Sequence, residues 1–413
     1  MLNLSLDRNN QRALAAAIVA SGTDDLNVMF LAFSMSSIIA ELGITGAQAG
    51  WIATITNLGM LAGGLFFGLL ADRYQKFKVF KWTILVFSLA TGLIFFSTSI
   101  QSLYLLRFLA GVGVGGEYGV AIAIMAGIVP PHKMGRISSL NGIAGQIGSI
   151  SSALLAGFIA PALGWRGLFL FGLLPILLVL WMWLAIDDNA IWDRGAMTQE
   201  QDQPIKMSQL FKTPTLTAQT LALMVMTTVQ IAGYFGMMNW LPTIIQTSLN
   251  ISVKNSSWWM VATILGMCLG MLTFGQILDQ FGPRLVYSLF LLTSAVSVYL
   301  FQYANSLISM VIGGAIVGFF VNGMFAGYGA MITRLYPHHI RATANNLILN
   351  VGRALGGFSS VIIGQILDVS GVATVMVFLA TLYVISFMAM LTIKNLKPST
   401  YASLGQEGAV LHS

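Results

Sequence analysis

Five ionisable side chains stand inside long apolar runs. Asp24 and Asp25 interrupt the run from 13 to 40, Arg107 and Glu117 lie in the run from 101 to 128, and Arg353 lies in the run from 342 to 367. A charged side chain at the centre of a bilayer costs about 2.5–3.5 kcal/mol on insertion scales, so each needs a chemical reason to be there. A carboxyl in dry surroundings takes up or releases a proton according to the charges near it. A guanidinium keeps its charge and offers a planar fork to a carboxylate. Proton exchange is therefore open to Asp24, Asp25 and Glu117, and anion binding to Arg353. Asp24 and Asp25 point about 100° apart around their helix, so at most one of them faces a central cavity fully. Arg107 and Glu117 are roughly 15 Å apart along one helix, so each must find partners on other helices.

The elements that hold these residues follow from composition. Of the 413 residues 56% are hydrophobic and only 8% charged, where a soluble domain carries about 25% charged residues. The chain is read as an all-α membrane protein, because about 20 apolar residues make one helical crossing. Breaking it at charged and turn-rich clusters gives twelve helices: 13–40, 48–71, 79–98, 101–128, 137–160, 167–186, 216–246, 256–278, 285–303, 307–333, 342–367 and 372–393. The first is too long, and too interrupted by Asp24 and Asp25, for a signal peptide, and is expected in the mature chain. With both termini on the cytoplasmic side, 16 Lys and Arg, among them Lys81, collect on that side and only Arg166 and Lys254 on the other. This bias orients the protein in a cytoplasmic membrane and assigns the +6 charge to lipid headgroups, not to nucleic acid. Trp258 and Trp259 are expected in an interfacial belt. The single cysteine, Cys268, rules out an intramolecular disulfide.

The halves repeat. Gly68 to Asp72 closes the second run and Gly275 to Asp279 the eighth, 207 residues later, and the same offset carries Gly145-Gln146 onto Gly352-Arg353. Two six-helix bundles are expected at 1–186 and 215–397, joined by a cytoplasmic linker at 187–214 and followed by a polar tail at 398–413. Internal repeats of this kind build many transporters.

Several motifs resemble those of the major facilitator superfamily. Gly68-Leu-Leu-Ala-Asp72-Arg73, followed by Lys76 and Lys78, resembles its loop between helices 2 and 3, with Gln75 where glycine is usual. The segment from Arg107 through Gly111, Gly113, Gly115 and Gly116 to Glu117, Tyr118 and Gly119 resembles helix 4 of the branch that carries organic acids and ions. Tyr336-Pro337, Arg341 and Gly352-Arg353 resemble that branch's helix 10–11 region, with Arg334 where a glutamate is frequent. Gly22-Thr23-Asp24 is similar to helix 1 of aromatic-acid and sialate proton symporters, with Ser21 where an aspartate is expected.

The resemblance implies a secondary active transporter that moves a small organic anion by proton symport and alternating access. The alternative on the same fold is an exporter or uniporter of a neutral or cationic compound. Arg353 would bind the carboxylate; Asp24 is favoured for the proton, with Asp25, Glu117 and Arg107 as the other coupling candidates. Gln146, Tyr118, Gln230, Tyr234, Asn239, Trp240, Asn322 and Tyr328 could line the substrate path. Asp72 with Arg73, Asp279 with Arg284, and Arg341 could hold the inner face closed or simply anchor the topology. Gly111, Gly113 and Gly116 also spell a dinucleotide fingerprint, but within a helical run they read as packing glycines. No nucleophile with a base stands out, so an enzyme is not expected. His132, His338 and His339 read as solvated loop residues, and no metal or cofactor is expected. The family expectation is a monomer.

Overall fold

The computed structural model describes residues 6–129, 131–191, 207–249, 253–337 and 340–397. The tail from 398, most of the linker and the histidine pair at 338–339 lie outside them. The described chain is helical: α1 Arg8–Leu42, α2 Gly46–Arg73, α3 Lys76–Leu93, α4 Ile100–Ile128, α5 Pro131–Leu170, α6 Leu174–Ala185, α7 Pro214–Leu249, α8 Val253–Phe281, α9 Pro283–Phe301, α10 Leu307–Gly323, α11 Phe325–Leu335, α12 Arg341–Gly356 and α13 Ser359–Thr392. The helices outrun the apolar stretches that mark them because polar caps, not the last apolar residue, end them. Asp7 accepts from the Asn10 amide at 2.8 Å to start α1, and Gly43 closes it at φ 61°. Thr45 with Gln48 forms a capping box for α2, Ser99 with Ser102 for α4, and Ser306 with Ser309 for α10.

Among the described residues ten stretches are long and apolar enough to cross a membrane, two of them 46 residues long. At 1.5 Å per residue a straight helix of that length would be about twice the thickness of a bilayer. Both fold back instead. α5 turns at Gly164 (φ 67°, ψ 179°) and α13 at Gly371 (φ 76°, ψ −175°), a conformation closed to residues with a Cβ. Counting each as two brings the ten stretches to twelve crossings. Two expected helices come in pieces: the tenth breaks at Met324 between α10 and α11, and the eleventh after Gly356, between α12 and α13.

The chain divides into two compact units, Met1–Gln201 with Asn239–Trp258, and Asp202–Met238 with Trp259–Ser413. In the first, α2 crosses α4 so closely that a Cβ on Gly63 would overlap the Val112 carbonyl, and one on Gly111 the Thr56 carbonyl. In the second, α8 meets α10 likewise, Gly270 against the Phe319 carbonyl and Gly318 against the Thr263 carbonyl. Small residues let backbones approach where lipid gives no hydrophobic drive for association. The outward faces are apolar: Leu184, Val369 and Ile308 are largely exposed.

Two sequence expectations are corrected here. Lys81 does not face lipid headgroups: it is buried on α3 and paired with Asp188 at 2.7 Å. Trp259 is not an interfacial anchor: it is fully buried, its ring 6.1 Å from that of Phe301. Both sit where an apolar run meets a polar cluster, and the hydropathy boundary does not say which side of the helix packs. The side chain of Trp258 lies outside the described residues.

Candidate functional site

The first unit concentrates the charge. Asp24 on α1 and Glu117 on α4 are buried, and their carboxyls face one another closely enough to interact directly. Among the described residues no donor reaches either Glu117 oxygen or Asp24 Oδ1 in hydrogen-bond geometry. Asp25 is half-buried on another face of α1, near enough for its charge to act on both. Its carboxylate lies over Gly145 of α5, where a Cβ would overlap Oδ2. The bare surface of Gly145 is what admits a carboxyl to this helix crossing. One turn along, Gly22 and Gly148 bring the two backbones together.

Arg107 does not pair with this cluster. Its guanidinium is fully buried, stacked 5.0 Å from the centre of the Phe169 ring, with Nη1 reaching the Asn27 carbonyl at 3.5 Å. Nε and Nη2 have no partner among the described residues. Phe169 is braced in turn by Phe30 and Trp165, at 6.1 and 6.0 Å. The acid pair and the arginine thus both meet α1, one turn apart at residues 24 and 27, with an aromatic wall around the cation.

Around α7 the second unit offers neutral groups instead. Gln230 on α7 is buried and donates from Nε2 to the Val321 carbonyl at 2.8 Å, leaving Oε1 without a partner among the described residues. Tyr328 on α11 is buried and donates to the Met226 carbonyl at 3.3 Å. Tyr383 and Ser386 on α13, which motif reading passed over, are fully buried beside them. Two of the five hydroxyls in the apolar run 372–393 were the available signal.

The other expected residues are more scattered. Arg353 on α12 is half-buried, next to Gly352, where a Cβ would come within 2.8 Å of Thr227 Oγ1. Gln146 is half-buried on α5 and Tyr234 on α7, Asn239, Trp240 and Asn322 are buried, and Tyr118 is exposed. Arg73 is exposed at the end of α2 and Arg284 half-buried at the start of α9. The side chains of Asp72, Asp279 and Arg341 lie outside the described residues. Among those described, no group of three or more His, Cys, Asp and Glu could hold a metal ion.

Comparison with known proteins agrees with this architecture. The chain is 34% identical over 383 residues to a Haemophilus influenzae protein named provisionally for metabolite transport, covering 92% of this chain and 94% of that one. It is 28% identical to the cis,cis-muconate transport protein of Acinetobacter baylyi, over 86% of this chain and 90% of the other. The crystal structure of a D-xylose-proton symporter superposes with a TM-score of 0.79 at 16% identity, covering 95% of this chain and 99% of that one, a likeness of fold. The Major Facilitator Superfamily family model matches residues 17–253 and 223–411. With twelve crossings, a repeat between its sequence halves and that match along nearly its whole length, the chain is a membrane transport protein of the Major Facilitator Superfamily.

Proposed function

We propose that the protein carries a small organic anion across the cytoplasmic membrane together with a proton, by alternating access. The observation that carries this reading is the facing pair Asp24 and Glu117, buried and, among the described residues, without a hydrogen-bonded cation. Two carboxyls this close are suited to sharing one proton, and their hold on it changes when a charge or water approaches. Asp24 and Glu117 are the proton carriers in this reading, Asp25 tunes them from the α1–α5 crossing, and Arg107 supplies a fixed positive charge nearby. Arg353 binds the substrate carboxylate, with Gln146 and the polar residues of α7, α10 and α11 completing the site. Asp72, Arg73, Asp279, Arg284 and Arg341 hold the inner face closed in part of the cycle. The muconate relative supports an organic acid as cargo. Both termini lie on the cytoplasmic side and the protein acts as a monomer.

The test is flux in proteoliposomes containing a pH-sensitive dye, offering cis,cis-muconate and a panel of aromatic and aliphatic carboxylates. Internal acidification accompanies entry of one acid, disappears in Asp24→Asn, and is lost together with acid binding in Arg353→Gln. The uncompensated carboxyls also favour a second reading, in which they bind a cationic substrate directly. Movement of cations or neutral solutes, with no acid moving protons, would sink the anion symport reading and leave this one.

A further inference from the structure

Along one face of α7 the second unit buries polar atoms whose hydrogen bonds the protein does not complete. Met226, Gln230 and Gly233 recur at helical spacing and share that face. The Tyr328 hydroxyl reaches the Met226 carbonyl at 3.3 Å. The Tyr383 hydroxyl lies against Gly233, where a Cβ would overlap it. Gln230 stands between them with Oε1 open, and Ser386, one turn from Tyr383 on α13, faces the Tyr328 hydroxyl without closing a hydrogen bond. Tyr383 and Ser386 are 0% exposed and Gln230 1%.

In this cluster Gln230 Oε1, Tyr383 Oη and Ser386 Oγ lack a hydrogen-bond partner among the described residues. Leaving such a group unmet costs about 1–3 kcal/mol. A buried water makes about three hydrogen bonds and occupies polar sites of this kind. The positions 207 residues earlier are Thr23, Ile176 and Val179, so the two α13 hydroxyls have no polar mates in the first half. We propose that Gln230, Tyr383 and Ser386 enclose a structural water between α7, α11 and α13, a hydration site built into the second unit. The water completes the amide and both hydroxyls and gives α7 an exchangeable partner on this face. Its test depends on neither the substrate nor the coupling ion.

Thermal unfolding of the purified full chain in detergent, with no substrate added, tests it through Tyr383→Phe, Ser386→Ala and the double variant. If a water is shared, each single change removes one of its bonds and lowers the midpoint by roughly 1–3 °C. The double variant then falls by less than the sum, because the same water is lost once. A midpoint that rises in either single variant would mean that a dry, unmet hydroxyl had been removed, and strict additivity would mean no shared occupant; either result overturns the site. Should a variant fail to fold, a high-resolution density map of the unaltered protein gives the answer. Ordered solvent within hydrogen-bond distance of Gln230 Oε1, Tyr383 Oη and Ser386 Oγ supports the site, and a map with no solvent there overturns the proposal.

Discussion

The two halves share one skeleton and differ in chemistry. At an offset of 207 residues the α2–α4 crossing of Gly63 on Val112 becomes the α8–α10 crossing of Gly270 on Phe319, the Ser99 capping box becomes that of Ser306, and the Gly164 turn becomes the Gly371 turn. Yet Asp24, Arg107 and Glu117 correspond to Ile231, Gly314 and Met324. The ties at the ends follow suit. In the first half Arg12 holds the Ala185 carbonyl at 2.7 Å and Lys81 holds Asp188; in the second, Asn395 donates to Gln219 at 2.8 Å, and Gln219 and Asn395 are the repeat mates of Arg12 and Asp188. Backbone contacts tolerate almost no change once two helices touch, while side chains in the spaces between them are free to diverge. At these positions the first half holds ionisable groups and the second apolar or neutral ones, while at Gln146 and Arg353 the charge lies in the second half.

The comparison can be broken most severely at the crossings. Gly63→Leu and Gly270→Leu should each cost about 3 kcal/mol or more, since the clash is with backbone. Neither should give a monodisperse folded protein on size exclusion, and tolerance in one half alone would show that the crossings are not equivalent. Next come the acids. Asp24→Asn or Glu117→Gln should reduce proton-coupled flux by about a hundredfold, while Ile231→Val or Met324→Leu at the mated positions leaves it within twofold of wild type, a contrast read in the dye-loaded vesicles. Smaller still are the end ties. Asp188→Asn leaves Lys81 buried without its counter-charge and should destabilise by about 2 kcal/mol, against about 1 kcal/mol for Asn395→Ala; equal shifts in unfolding midpoint would erase the charged-versus-neutral distinction. The mildest test sharpens the symmetry itself. Gly164→Ala and Gly371→Ala should each cost about 1–2 kcal/mol, because both glycines hold positive φ, and the two losses should add.

Much of this was legible in the residues. Hydropathy marked twelve crossings, and the two motif pairs at one offset marked the duplication that the capping boxes and turn glycines extend. The ionisable candidates could be picked out because a charge within an apolar run stands out. Their partners could not. That Glu117 meets Asp24 while Arg107 goes to Asn27 and Phe169 depends on which faces of α1 and α4 pack. Tyr383 and Ser386 escaped notice because one hydroxyl in an apolar helix carries little signal until a neighbour's unmet amide is seen beside it. Lys81 and Trp259 went wrong for a related reason: at the edge of an apolar run, composition does not distinguish a solvated side chain from a packed one.

The sequence by itself determined that the chain crosses a membrane, how often, and that it is built twice, because these are one-dimensional properties of apolar length and repeat spacing. Only the tertiary structure decided which buried groups meet. A helix fixes the direction of each side chain relative to its own axis, but the rotation and depth of its neighbours decide whether a carboxyl faces a second carboxyl, an arginine or the bare backbone of a glycine.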